Sequence, residues 1–222
     1  MESLEIKIFT ESECEDFKAK LLTLTPKHWV DGKTTTGSHA KTKKINLQLK
    51  PDTQENKELE RAIRERLRNN PSFKSFCIPK KMHHNLISRT EAGGGYGTHV
   101  DNAFMKTGRA DISYTICLSS EKDYKGGELV IHGATETTTV KMKQGHAFIY
   151  PSNQLHQVNT VTSGIRLACI GWVQSYIASQ ELRMNLFNLE AGANYLLATQ
   201  GRSEALDRIF LAHANLLRSF GS

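Results

Sequence analysis

The string Gly97-Thr98-His99-Val100-Asp101-Asn102 sets an imidazole and a carboxylate two residues apart. On a strand, that spacing puts both side chains on one face, so one ring nitrogen and one carboxylate oxygen converge on a point. A second imidazole from elsewhere would complete a two-histidine, one-carboxylate set, which holds Fe(II) and leaves three positions open. His156 is the candidate, 55 residues after Asp101. Imidazole with carboxylate suits Fe(II) or Mn(II), whereas thiolates would point to zinc. A His-X-Asp string also occurs by chance in many chains, and two surface-strand residues would look the same. His156 and Arg166 supply the weight.

Arg166 falls in a strand expected over 165–173, where period two groups it with Ala168, Ile170 and Trp172. Three of these four are apolar, so the face should turn inward. An arginine there needs an anion, because an unpaired buried charge costs several kcal/mol. A protein carboxylate or a bound dicarboxylate would serve, and the planar guanidinium matches either in bidentate fashion.

The elements that must position these residues read in three parts. Thr10-Glu11-Ser12-Glu13 forms a capping box, predicting a helix over 11–24 that ends before Pro26. Asp52 can cap a second helix whose apolar Leu59, Ile63 and Leu67 fall four apart, with Glu60 four before Arg64 on the exposed side. From about 76 to 175 the pattern changes to short strands. Ile112, Tyr114, Ile116 and Leu118 alternate with smaller or polar residues, Gly126-Gly127 precedes Glu128 to Ile131, and Ala147 to Tyr150 ends at Pro151. Short strands joined by Gly and Pro turns predict an antiparallel sandwich or barrel.

Beyond 177 the helical period returns in two stripes, Leu182-Leu186-Leu189-Ala193-Leu196 and Leu206-Ile209-Phe210-His213-Leu216-Leu217-Phe220. Gly201 stops the first and Ser203 caps the second. The class expected is therefore α+β, mainly β. Residues 1–177 should form one domain, with N-terminal helices in 1–75, and 178–222 a helical hairpin that could cap the barrel or make a homodimer interface.

The 222 residues carry 29 Lys and Arg against 23 Asp and Glu, a net charge of +6. Five of the six surplus charges precede residue 101, without an aromatic-interleaved basic stripe. Nucleic acid is therefore not an expected partner. Lys41, Lys43 and Lys44 read as a solvated basic face. No apolar run approaches the ~20 residues of a spanning helix, so no membrane is expected. Cys14, Cys77, Cys117 and Cys169 are scattered and form no CxxC pair, which reads as reduced packing thiols. The acidic start MESLEIKIF lacks the apolar core of a secretory signal, so a cytoplasmic location is expected.

His99-Val-Asp101, His156 and Arg166 resemble the Fe(II)- and 2-oxoglutarate-dependent dioxygenases of the prolyl-4-hydroxylase-like branch, and within it the PKHD-type hydroxylases. The segments that carry the likeness are Trp29-Val-Asp31-Gly32 followed by Thr-Gly37, then Lys44-Ile-Asn46-Leu-Gln48-Leu49, Gly97 to Ala103, and Asp123-Tyr124-Lys-Gly126-Gly127-Glu128-Leu129. Tyr150-Pro151 with Leu155-His156, Trp172-Val-Gln174-Ser175 and Asn215-Leu-Leu-Arg218 complete it. The resemblance implies a double-stranded β-helix, or jelly roll. It implies iron held by His99, Asp101 and His156, and 2-oxoglutarate whose far carboxylate is gripped by Arg166. It also implies O2 as second co-substrate, hydroxylation of a C–H bond with release of succinate, and L-ascorbate to keep iron ferrous. Relatives are associated with iron homeostasis, so the primary substrate could be a protein, a peptide or a small molecule such as a siderophore.

One departure stands out. The family usually carries a tyrosine nine residues before the first histidine, where this chain has Thr90. Alternation groups Tyr114 with Ile112 and Ile116, expected to face the barrel interior, so Tyr114 is the candidate for the missing hydroxyl; a buried tyrosine bonded to a backbone carbonyl is the alternative. Tyr96, three before His99, could line the site or simply fill the core. Gly93-Gly94-Gly95 could be a mobile lip or only a turn. His83 and His84 are adjacent, hence poor joint ligands, and His28, His39 and His213 read as surface or packing residues. Two other readings compete. An AlkB-like nucleic-acid demethylase would need a second arginine six after Arg166, where Trp172 stands. A cupin-like metal or small-acid sensor would need a glutamate soon after the first histidine, and none is there.

Overall fold

The computed structural model describes residues 3–35 and 43–222; Gly37, His39 and Lys41 lie outside the described residues. Two antiparallel sheets make the body. The larger has nine strands in the main-path order Leu4–Lys7, His146–Pro151, Ile112–Cys117, Val161–Ser175, Leu86–Glu91, Leu47–Leu49 and Trp29–Asp31, with Tyr124–Gly126 and Pro79–Met82 also paired to the long Val161–Ser175 strand. The smaller runs Thr137–Val140, Leu129–His132, Leu155–Val158, Gly95–His99 and Lys44–Ile45. Together they form the expected jelly roll.

The larger sheet is covered on both faces, which explains why its central strands are buried throughout. All six residues of Ile112–Cys117 are buried. On one face, Ile112, Tyr114 and Ile116 join Ile87, Leu167, Cys169 and Val173 in a core shared with Leu59, Ile63, Leu67 and Phe73 of the helices. On the other, Cys117, Phe148 and Tyr150 meet Leu129, Ile131 and Met142 in the barrel interior.

The helices follow their local signals. α1 (Glu11–Thr23) starts on the predicted capping box, with Thr10 and Glu13 bonded reciprocally. α2 (Gln54–Asn69) is capped by Thr53 rather than Asp52, and Glu60 meets Arg64 at 2.7 Å. Asn70 caps a further short helix, α3 (Pro71–Cys77), which the reading of 1–75 does not separate from α2. Pro71 fits its first turn, where no backbone N–H is needed.

The C-terminal hairpin comprises α4 (Gln180–Gln200) and α5 (Glu204–Phe220), with Gly201 and Ser203 between them as expected. α4 docks by Phe187 against Phe76 of α3, edge to face with centroids 5.4 Å apart. Its buried face also includes Arg183 and Met184, off the predicted stripe. Arg183 donates to the Ile177 carbonyl at 2.8 Å, so the guanidinium fastens the helix to its own entry turn. Among the described residues, no helix is long and apolar enough to cross a membrane.

Candidate metal centre and its cavity

The Gly95–His99 strand lies antiparallel to Leu155–Val158 in the smaller sheet, and the register sets His99 directly opposite His156. The strand stops at His99, so Asp101 reaches the same point from the loop beyond it. Ligand-capable atoms of the three residues all lie within 4.8 Å of one another. The Asp101 Oδ1 is 3.9 Å from Nε2 of His99 and 3.8 Å from Nε2 of His156.

Each of these side chains is held from behind. Nδ1 of His99 is 2.8 Å from the Gly97 carbonyl, and Nδ1 of His156 is 2.9 Å from the Gln154 carbonyl. A carbonyl only accepts, so both Nδ1 atoms carry the proton and both Nε2 lone pairs face the centre. Asp101 accepts at Oδ2 from the Ser113 hydroxyl (2.6 Å) and the Trp172 indole N–H (2.9 Å), which leaves Oδ1 toward the histidines. Burial and the neighbouring His156 together hold the His99 imidazole well below its usual range, so it is neutral. The His99 ring also stacks on Tyr96, with centroids 3.6 Å apart.

The triad opens into a cavity lined by residues of both sheets, among them Tyr96, Thr90, Tyr150, Arg166, Ile170 and Trp172. Arg166 therefore faces inward, as its apolar partners on the strand predict. It is 2% exposed, and neither Nε nor Nη2 has a hydrogen-bond partner. Among the described residues no carboxylate lies within 4.0 Å of it, so the salt-bridge alternative is not realised. Thr90 pairs with Arg166 in register across the two strands, and Tyr124 touches the guanidinium through its hydroxyl. Gly127 makes room for this arginine: at φ +67°, a Cβ there would lie 2.9 Å from the Arg166 Cδ.

Tyr114 departs from expectation. It does not line the cavity but lies on the opposite face of the sheet, fully buried, edge to face with Phe73 of α3. Its hydroxyl donates a short hydrogen bond to the Asn85 side chain rather than to a backbone carbonyl. Gly171 leaves the space, since a Cβ there would sit 2.3 Å from the Tyr114 ring. Alternation correctly groups Tyr114 with Ile112 and Ile116, but the barrel side of this strand is Ser113, Thr115 and Cys117. Thr90, Thr115 and Tyr150 are hydroxyl-bearing residues that do line the cavity, and Thr90 lies across the ladder from Arg166.

Lys44 also departs from expectation. It is 6% exposed and lines the cavity, its ammonium 4.9 Å from the Tyr96 ring centre. Lys43 beside it is exposed. The strand Lys44–Ile45 adds to the edge of the smaller sheet opposite Tyr96, and that pairing turns one lysine inward. Asn46, Gln48 and Ser88 line the same wall. The resemblance includes Asn46 and Gln48 as motif residues, but nothing in the sequence marks them as cavity residues. Gly93-Gly94-Gly95 opens with a turn closed by Gly94 N–H to the Glu91 carbonyl, and Gly95 starts the metal-bearing strand. His83 is buried, with Nδ1 2.6 Å from the Thr107 hydroxyl and Nε2 2.9 Å from the Arg109 carbonyl, away from the triad.

A jelly roll with this centre defines the 2-oxoglutarate- and Fe(II)-dependent oxygenases, and residues 85–174 match the sequence model of the 2OG-Fe(II) oxygenase superfamily. The chain is 45% identical to a PKHD-type hydroxylase of Synechococcus sp. (strain CC9311) over 221 residues, covering all of both chains. A PKHD-type hydroxylase of Prochlorococcus marinus (strain MIT 9303) is 46% identical over 222 residues, again end to end. The chain belongs to the PKHD-type hydroxylase family. Among solved structures, a Pseudomonas putida prolyl-4-hydroxylase shares the fold at TM-score 0.58 and 14% identity, covering 78% of this chain and 92% of that one. A Trichoplax adhaerens prolyl hydroxylase, solved with a hypoxia inducible factor peptide fragment, does so at TM-score 0.57 and 14% identity, covering 83% and 86%. The protein is thus an enzyme of a family dependent on Fe(II), 2-oxoglutarate and O2.

Proposed function

We propose that His99, Asp101 and His156 hold Fe(II), that Arg166 binds the far carboxylate of 2-oxoglutarate, and that the enzyme hydroxylates a primary substrate with release of succinate and CO2. The observation that carries this is the buried Arg166 guanidinium, with Nε and Nη2 unbonded and no carboxylate partner among the described residues, facing the same cavity as the three ligand atoms. Two imidazole nitrogens and one carboxylate oxygen, with no thiolate among them, suit Fe(II). When bound, the iron supplies the oxygen chemistry that couples 2-oxoglutarate decarboxylation to oxidation of a C–H bond.

The protein's own part is positioning and exclusion of water. Carbonyls at Gly97 and Gln154 keep both Nε2 atoms available. Ser113 and Trp172 fix the Asp101 carboxylate so that one oxygen faces the centre. Arg166, with Thr90 paired across the ladder and Tyr150 on the same cavity wall, fixes the co-substrate by its far end. Leu129, Val158 and Ile170 dry the walls between them.

L-Ascorbate as the reductant that sustains turnover, a cytoplasmic location and a role in iron homeostasis rest on the sequence resemblance and the scattered thiols. The peptide in the Trichoplax relative's structure supports a protein or peptide substrate, with a small molecule as the other class. The hairpin of α4 and α5 is available as a homodimer surface.

The test is succinate formation by the Fe(II)-loaded protein, followed by a mass search for products one oxygen heavier. His99→Ala and Asp101→Ala should each abolish iron-dependent succinate formation. Retained turnover in either variant overturns the triad. An iron-loaded wild type that binds 2-oxoglutarate but never consumes it, with or without cell extract, favours the sensor reading.

A further inference from the structure

The cavity holds a second buried cation that the co-substrate does not account for. Lys44 lines it beside the triad and is 6% exposed. Among the described residues, its ammonium meets the Thr35 hydroxyl at 3.4 Å and the face of Tyr96 at 4.9 Å, and neither carries a full negative charge. No carboxylate of the described residues lies within ion-pair distance. Asp101 is committed, with Oδ2 taken by Ser113 and Trp172 and Oδ1 facing the imidazoles. Asp31 is exposed and accepts the Lys33 backbone N–H. Burial pushes the Lys44 amine down to about 8, the mark of a cation whose surroundings do not repay its lost water.

Charge balance then points to the missing partner. A divalent ion with Asp101 leaves one positive charge, and Arg166 adds a second. The two carboxylates of 2-oxoglutarate cancel both. Lys44 remains, and an unpaired buried charge is costly.

We propose that Lys44 anchors a carboxylate of the primary substrate, so that the substrate class of this enzyme is a carboxylic acid bound with that group over Tyr96. This rests on the assignment of Arg166 to 2-oxoglutarate. The acid could be a free small molecule or a side chain on a peptide, and the chemistry of recognition is the same.

The test uses the full-length protein carrying Mn(II) and 2-oxoglutarate, with two matched pairs of probes. Butanoate against butanamide represents the small acid; N-acetyl-Gly-Asp-Gly-amide against its Asn counterpart represents the peptide. Acetylation of Lys44 by an amine-reactive ester is followed by peptide mass spectrometry. At least one acid should slow acetylation of Lys44 about tenfold or more, while its neutral partner does not. Which acid protects identifies the source. In saturation-transfer NMR, Lys44→Met should lose the preference for acid over amide, Lys44→Arg should keep it, and 2-oxoglutarate affinity should be unchanged in both. The proposal is overturned if neither acid protects, if acid and amide protect equally, or if Lys44→Met weakens 2-oxoglutarate. Failure of wild type to bind 2-oxoglutarate at all counts instead against the Arg166 assignment.

Discussion

Trp172, on the long strand of the larger sheet, donates its indole N–H at 2.9 Å to Asp101, which follows a strand of the smaller sheet. With the Ser113 hydroxyl, from the same sheet, it ties the two halves of the jelly roll at the metal centre. Trp172→Phe keeps the ring but removes the donor. Metal affinity should fall by about 10- to 100-fold, as is usual when an outer partner of a ligand is lost. Titration with Mn(II) followed by electron paramagnetic resonance measures it, and unchanged affinity would show that Ser113 alone suffices to orient the carboxylate.

Arg166 is the positive charge that the strand bearing Trp172 brings to the cavity. Arg166→Met should raise the dissociation constant for 2-oxoglutarate by about 30-fold or more, with metal affinity retained. Calorimetric titration of the Mn(II)-loaded protein separates the two effects. A variant with normal 2-oxoglutarate affinity would leave the unbonded Nε and Nη2 of Arg166 without a purpose.

Tyr114 and Thr90 exchange the roles their sequence positions suggest. Tyr114→Phe should leave 2-oxoglutarate affinity intact and lower stability by about 1–2 kcal/mol, because Asn85 loses its buried donor. Thr90→Val, across the ladder from Arg166, should weaken 2-oxoglutarate with little loss of stability. Urea unfolding and co-substrate titration of both variants decide it.

The His99 imidazole is held low by burial and by His156, so the folded metal-free protein resists a proton that the unfolded chain accepts at its ordinary value near 6.5. The unfolded state then binds more protons as pH falls, and stability must drop in the same direction. Thermal unfolding of the metal-free protein should therefore show a falling midpoint from about pH 6.5 toward 4. His99→Asn should flatten that slope, and an unchanged slope would assign it to other groups.

Much of this was legible in the residues because it depends on local chemistry. The capping box before α1, the stripe of Leu59, Ile63 and Leu67 on α2, and Gly201 with Ser203 between α4 and α5 are near-neighbour signals. The structure keeps all of them. The inward face of Arg166 could be read because three apolar partners share it.

What the sequence by itself determined was which residues share a face and which residue types could bind metal and anion. Period two cannot say which side of a sheet a face looks toward, and here both sides are apolar. The helices α2 and α3 cover one and the second sheet covers the other, so Tyr114 went to the helices and Thr115 to the cavity. Strand pairing between segments distant in the chain set His99 opposite His156. The same kind of pairing, an edge strand laid beside Tyr96, took Lys44 from an apparently solvated cluster into the cavity. Those decisions belong to long-range packing, because only the assembled sheets determine which side of each strand is dry.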